Sequence, residues 1–343
     1  MWVVKELFDY IEDILNDEPN ISADKGILND FKSLQECGYM LPSVIEKIVH
    51  PASKNAELLL ERRMGMITLQ VTQQCNLRCK YCIYSEDKNL SQRSHSDNVM
   101  TWEIAKSAID FLYAHSIEAD DISIGFYGGE PLLAFPLIKK IVAYADEIFA
   151  GKDRIYSITT NGTLISDEVA HYLNEHKFRV AFSIDGPKEA QNKNRIFRDG
   201  SGTYDIVVKN IEKLYRCASS LNASEYFSIN SVISPDQEYT ELKEMFSNPI
   251  IDRLTFQSTF IEEDDHIIQP SAKFLEDFDY DVFLECYKHF RHLDNSSNSK
   301  HALQEIDSLI SDLRRFSDTS VAPVSAPSGP CIPGKLRLFV NCF

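Results

Sequence analysis

From Ile67 onward the chain alternates two patterns. Short runs rich in β-branched and aromatic residues occur at Ile67 to Val71, Asp121 to Tyr127, Tyr156 to Thr160, Arg179 to Ile184, Tyr226 to Ile233 and Arg253 to Thr259. Stretches with helical apolar spacing separate them. Such runs read as strands, and strands alternating with helices read as a parallel sheet with crossover helices. The first crossover helix is signalled by Thr101 as N-cap, with Ile104, Ala105, Ala108, Phe111 and Leu112 on one face. Pro136 suits the first turn of the next, whose apolar face would carry Leu137, Ile138, Ile141 and Val142.

Outside this αβ run the pattern changes. Residues 1–62 carry helical patterns around Val4 to Leu15 and Ile27 to Cys37, with Gly38 placed to end the second, and read as a small helical N-terminal module. The core spans 63–260. Residues 261–330 are acidic and mostly helical (Glu262, Glu263, Asp264, Asp265, then Phe274 to His289) and close in a Ser/Pro/Ala-rich linker from Ser317 to Pro330. Residues 331–343 start a new element.

Charge narrows the function. A net charge of -17 and a pI of about 5.0 offer no basic field to gather phosphates, so nucleic acid is not an expected partner. No apolar run approaches the roughly 20 residues that span a bilayer, and Met1 to Leu15 is acidic and amphipathic rather than a basic, then apolar, export signal. A cytoplasmic protein without a membrane partner is expected. In that compartment the eight cysteines are thiols, and a tight group of them points to metal or catalysis rather than to disulfides. Cys37, Cys217 and Cys286 stand alone and read as plain thiols.

The tight group is Cys75-Asn-Leu-Arg-Cys79-Lys-Tyr-Cys82, directly after the first strand. Three thiolates so close can hold three irons of a cubane and leave the fourth iron open. A structural zinc would need a fourth ligand, such as His95, and normally two paired C-x2-C units, which the sequence lacks. Three further polar and Gly turns follow later strands: Gly128-Gly129-Glu130-Pro131, Thr160-Asn161-Gly162 and Ser183-Ile184-Asp185-Gly186-Pro187. Each alone reads as a turn. Together they sit at the C-terminal ends of successive strands, which in a (β/α) barrel converge on the face where active sites lie.

The cysteine spacing, with Tyr81 before the last Cys, resembles the signature of the radical S-adenosylmethionine (SAM) superfamily. The resemblance implies a [4Fe-4S] cluster on Cys75, Cys79 and Cys82 whose open iron chelates the amino and carboxylate groups of SAM, and one electron that cleaves SAM to a 5'-deoxyadenosyl radical. Gly128, Gly129 and Glu130 resemble the motif that contacts the methionyl amine. The run from Ser183 to Arg195, followed by Gly202-Thr203-Tyr204, resembles the subgroup that modifies peptides and proteins: anaerobic sulfatase maturases and ribosomal-peptide maturases with C-terminal SPASM domains. By that resemblance Ser183 and Arg195 contact the ribose and carboxylate of SAM, and Tyr81, Thr160, Asn161 and Asp185 join the cofactor-binding set. Cys331 to Asn341 resembles the start of a SPASM domain in cysteine-rich-peptide maturases, with Cys331 as the first auxiliary-cluster ligand.

The expectation is thus a partial (β/α)6, TIM-like barrel with a helical N-terminal module and a truncated SPASM start. The implied reaction is hydrogen abstraction from a precursor peptide or protein, leading to a thioether bridge in a Cys-rich peptide, with an electron donor such as flavodoxin or ferredoxin. The alternatives are formylglycine formation, as in sulfatase maturases, and a truncated protein that binds SAM or peptide with impaired catalysis. Cys331 and Cys342 are too few for an ordinary auxiliary cubane. The N-terminal module is expected to pack on the barrel, with leader-peptide binding as its other possible role.

Overall fold

In the computed structural model the residues described are 56–82, 95–218, 223–263, 266–267, 269–291 and 337–342, with isolated positions elsewhere, among them 47–48 and 324–325. Seven parallel strands form one sheet: β1 Met66–Thr72, β2 Asp121–Gly128, β3 Asp153–Thr160, β4 Arg179–Ser183, β5 Phe227–Ile233, β6 Thr255–Phe260 and β7 Arg337–Val340. Their spatial order is β7-β1-β2-β3-β4-β5-β6. Crossover helices α1 Trp102–His115, α2 Phe135–Ile148, α3 Asp167–Glu175, α4 Lys188–Asn194 and α5 Tyr204–Cys217 connect the first five, giving the partial barrel expected from the alternation. A later helix, α6 Ala272–Arg291, is anchored by Phe274, whose ring meets those of Tyr239 and Phe260 at 5.4 and 5.9 Å.

The strands have two unlike faces. One is apolar and fully covered: Ile67, Leu69, Val71, Ile122, Ile124, Ile158, Val180, Phe182 and Ile229 are buried in a single core cluster with the helices. The other face carries Thr68, Gly125, Ser157, Ala181 and Ser228, which line a cavity of about 320 Å³ inside the curved sheet. Small residues at these positions leave the lumen hollow, where a closed barrel would fill it with branched residues.

Helix α1 begins as read, with Thr101 Oγ1 accepting from the Ile104 amide at 3.3 Å. Its buried face is Ala105, Ala108, Ile109 and Leu112. Phe111, expected on that face, is exposed and stacks on His115 one turn along, with ring centroids 4.1 Å apart. Helix α2 buries Phe135, Ile138, Ile141, Val142 and Ala145, with Leu137 only partly covered.

Two compact units emerge from the contact pattern, Met1–Pro51 with Thr319–Ser328, and Ala52–Asp318 with Gly329–Phe343. The first contains a short parallel ladder between Lys47–Ile48 and Val324–Ser325. The second contains the sheet, the acidic segment and the C-terminal residues. Val4 to Leu15 and most of Ile27 to Cys37 lie outside the described residues, as does Cys331. Residues 337–340 supply β7 beside β1, with Arg337 opposite Met66 and Val340 opposite Leu69. Cys342 is buried beyond it, its Sγ 3.8 Å from Gln70 Oε1. The physical reason is an open edge on β1: Leu338 and Val340 pack against the core cluster while the backbone completes the ladder.

Candidate cluster and cofactor site

The loop that leaves β1 carries the three cysteines, and the loop's own backbone bonds hold it in place. Arg78 N donates to Ile196 O at 2.8 Å and Lys80 N to Asn194 O at 3.1 Å, so residues 194–197 run antiparallel along the loop. The Arg78 guanidinium donates back to the carbonyls of Cys75 and Leu77 at 2.9 and 2.7 Å. Asn76 Nδ2 donates to Thr163 Oγ1 at 2.8 Å, tying the loop to the turn after β3.

Gly128 and Gly129 bring the end of β2 against this loop. A Cβ on Gly128 would stand 2.1 Å from Thr72 O, and one on Gly129 would stand 2.2 Å from Gln74 O. Gly128 also has φ of +144°, open to glycine at no steric cost. The sequence reading assigned these glycines to the approach of a ligand. What approaches most closely is the chain's own backbone at residues 72–74, bonded through Gly129 N to Thr72 O at 2.9 Å and Glu130 N to Gln74 O at 2.8 Å.

These elements enclose a cavity of about 500 Å³, within the size range of small-molecule sites. Cys75, Cys79, Tyr81, Cys82, Gly128, Gly129, Thr160, Asn161, Ser183 and Arg195 all line it. So does His95. Among the described residues no three His, Cys, Asp or Glu side chains converge on the single point that one metal ion needs.

Glu130 and Asp185, expected as cofactor contacts, stand behind the cavity wall. Glu130 is fully buried, and its carboxylate accepts from Leu132 N at 3.1 Å, Thr160 Oγ1 at 2.7 Å and Asn161 N at 2.8 Å. It braces the end of β2 to the end of β3. Burial pushes its pKa up to about 7 against the three donors. Asp185 is equally buried. Its Oδ1 accepts from Val232 N at 3.0 Å and pairs with Arg195 Nε at 3.0 Å, while its Oδ2 accepts from the Tyr81 hydroxyl. The Asp185–Gly186 turn is closed by Asp185 N donating to Gln191 Oε1 at 2.8 Å and Gln237 Nε2 donating to Asp185 O at 3.2 Å.

The donor chemistry of the loop suits a metal cluster. Burial pushes the Cys75 thiol up to about 11, with the charges of Glu130 and Cys82 adding to it. It pushes Cys79 up to about 12, with Arg195 pulling the other way and Cys82, Asp185 and Cys75 adding. Cys75 and Cys79, raised first by burial, become thiolates only beside a large positive charge, which irons would provide. Two cavity donors already point at sulfur: Asn161 Nδ2 lies 4.0 Å from Cys75 Sγ and Arg195 Nη1 lies 4.0 Å from Cys79 Sγ.

Sequence reasoning missed the far side of the cavity. Tyr127, Thr159, Asn230 and Gln257 line it together with Ser183. Register places Ser183, Asn230 and Gln257 side by side across β4, β5 and β6. The signal was available, since a strand of a parallel sheet covered on both faces reads as a continuous apolar run. The alternation Phe227, Ser228, Ile229, Asn230 in β5 departs from that and marks a polar lumen.

The family model of the radical SAM superfamily matches residues 69–247. The chain is 28% identical over 290 residues to the radical SAM cyclopropyl synthase TigE of Paramaledivibacter caminithermalis, covering 80% of this chain and 54% of that protein. It is 32% identical over 176 residues to the cysteine-type anaerobic sulfatase-maturating enzyme of Clostridium perfringens strain 13, covering 50% of this chain and 46% of that one. The chain thus spans about half the length of these relatives. The solved structure of native anSMEcpe with bound AdoMet and Kp18Cys peptide superposes with a TM-score of 0.53 and 26% identity, over 64% of this chain and 61% of that one. Native anSMEcpe with bound AdoMet gives 0.54 and 25%, over 67% and 62%.

Proposed function

Since this chain belongs to the radical SAM superfamily, whose members use a [4Fe-4S] cluster and SAM, we propose that it abstracts a hydrogen atom from a peptide or protein side chain. In this reading Cys75, Cys79 and Cys82 hold the cluster and the cavity beside them takes SAM. Held there, the cluster and SAM would supply one-electron reduction and radical hydrogen-abstraction chemistry. The observation that carries the reading is that one cavity is lined at one end by all three thiols and at the other by the ends of β2 to β6.

The chain's own residues divide the work. Gly128 and Gly129 let the cysteine loop close against β2. Glu130 and Asp185 fix the positions of Asn161 and Arg195 on the wall. Ser183, Asn230 and Gln257 offer hydroxyl and amide groups without formal charge, suited to a peptide segment whose backbone must be hydrogen-bonded. Reductant comes from an external one-electron donor of the flavodoxin or ferredoxin kind.

A peptide substrate is favoured by the relatives' activities, a cyclopropyl synthase and sulfatase-maturating enzymes. The bond formed is a thioether if the Cys331 to Asn341 resemblance holds, and a carbon-carbon bond or an aldehyde if the chain follows those relatives. The test is the mass of a precursor peptide co-expressed under anoxic conditions. Loss of mass from hydrogen removal, absent with Cys79→Ala, is expected. An unmodified peptide beside a cluster that cleaves SAM would count against a peptide substrate.

A further inference from the structure

Arg195 follows α4 in extended backbone, and the antiparallel run of residues 194–197 along the cysteine loop sets its side chain beside Cys79. The guanidinium is held from three sides. Nε pairs with Asp185 Oδ1 at 3.0 Å, Cζ stands 5.4 Å from the centre of the Tyr81 ring, and Nη1 points to Cys79 Sγ at 4.0 Å. Asp185 is in turn fixed by Val232 N and by the hydroxyl of Tyr81, the residue just before Cys82. The pair is nearly sealed from solvent, with side-chain exposures of 11% for Arg195 and 1% for Asp185.

A buried guanidinium needs one carboxylate, and Asp185 supplies that counter-charge 3.0 Å from Nε without closing a hydrogen bond there. The remaining donors still face a cluster-ligating sulfur in a place where water does not screen the charge. Hydrogen bonds to the sulfurs and net charge nearby are the protein's means of setting an iron-sulfur potential. We propose that Arg195, held by Asp185 and Tyr81, is a tuning residue for the cluster: its charge at Cys79 Sγ stabilises the reduced, more negative state and makes it easier to reach. The electron balance is simple, because one electron enters from an external donor and no bond forms or breaks. This inference rests on the cluster being held by Cys75, Cys79 and Cys82, and it is separate from any contact that Arg195 makes with SAM.

Arg195 and Asp185 pull in opposite directions, which gives a test that packing damage does not imitate. The anoxically reconstituted full chain is titrated electrochemically without SAM, and the paramagnetic signal of the reduced cluster is measured at each potential. At the parent's midpoint, Arg195→Gln is expected to lower the ratio of reduced to oxidised cluster at least tenfold, which is about 59 mV for one electron. Arg195→Lys, which keeps the charge, should stay nearer the parent than the Gln variant does. Asp185→Asn removes the opposing charge at constant shape and should raise the ratio.

An Arg195→Gln protein with full iron that titrates with the parent overturns the proposal, and so does a fall in the Asp185→Asn ratio. If one variant loses its iron, the other decides. Iron loss from both would make the pair structural and end the tuning role. A parent without a reducible cluster would refute instead the cluster assignment on which the inference stands.

Discussion

Glu130 offers the sharpest test of how the site is built. If it braces the strand ends, as its three internal bonds indicate, its removal acts first on stability. Glu130→Ala strands the amides of Leu132 and Asn161 and the hydroxyl of Thr160, and each buried unpaired group costs roughly 1–3 kcal/mol. The effect also depends on pH. Burial raises the folded-state pKa from the ordinary 4.5 to about 7, so the folded protein holds a proton that the unfolded chain releases. Stability contributed by that proton is fully present below 4.5 and is lost as pH rises through about 7. Between pH 5.5 and 8.5, both above the pI of about 5.0, linkage gives a loss of about 2 kcal/mol in the parent. In Glu130→Gln and Glu130→Ala that loss is absent. The assay is urea unfolding of the cluster-free protein at the two pH values under anoxic conditions, followed by circular dichroism. Glu130→Ala should therefore be more damaging at pH 5.5 than at 8.5, by about 2 kcal/mol. Equal damage at both values, or greater damage at 8.5, would refute the reasoning. A variant as stable as the parent that binds SAM weakly would restore Glu130 as a direct contact.

Other outcomes follow from the same geometry. Gly129→Ala places a Cβ against Gln74 O and should yield protein that binds iron substoichiometrically, read by iron and sulfide analysis. Gln257→Leu, on the far side of the cavity, should leave SAM cleavage within about threefold of the parent while modification of the peptide falls by roughly a hundredfold, since misplacement by about 1 Å has that cost; parallel losses would remove it from the substrate side. Thr101→Ala deletes the cap of α1 and should lower unfolding free energy by about 1 kcal/mol with no effect on iron content.

Much of this was legible in the sequence for a physical reason. Strands and crossover helices follow from periodicity, so the six runs from Ile67 to Thr259 emerge as β1 to β6 within a residue or three. The turns at Gly128, Thr160 and Ser183 were visible because loops carry polar and Gly residues where strands do not. What sequence could not supply was direction. Glu130 and Asp185 have the composition of ligands, yet their carboxylates turn inward to donors from strands far away in sequence, such as Val232 N. Gly129 was singled out for the approach of a ligand, and the backbone that lies against it is Gln74 of the same chain. Phe111 and Ile109 differ by half a turn, and an amphipathic pattern with apolar residues at both positions does not choose between them. Residues 337–340 carry too short a run to show pairing with β1, a partner about 270 residues away.

The central claim is that Cys75, Cys79 and Cys82 hold a SAM-cleaving cluster, and it is tested most directly by one comparison. Parent and Cys79→Ala are reconstituted with iron and sulfide without oxygen, then given SAM and a strong one-electron reductant while 5'-deoxyadenosine is quantified against bound iron. The account predicts about four irons in the parent, with 5'-deoxyadenosine formed, and neither in the variant. Iron retained by Cys79→Ala, or a fully loaded parent that leaves SAM intact, would contradict it.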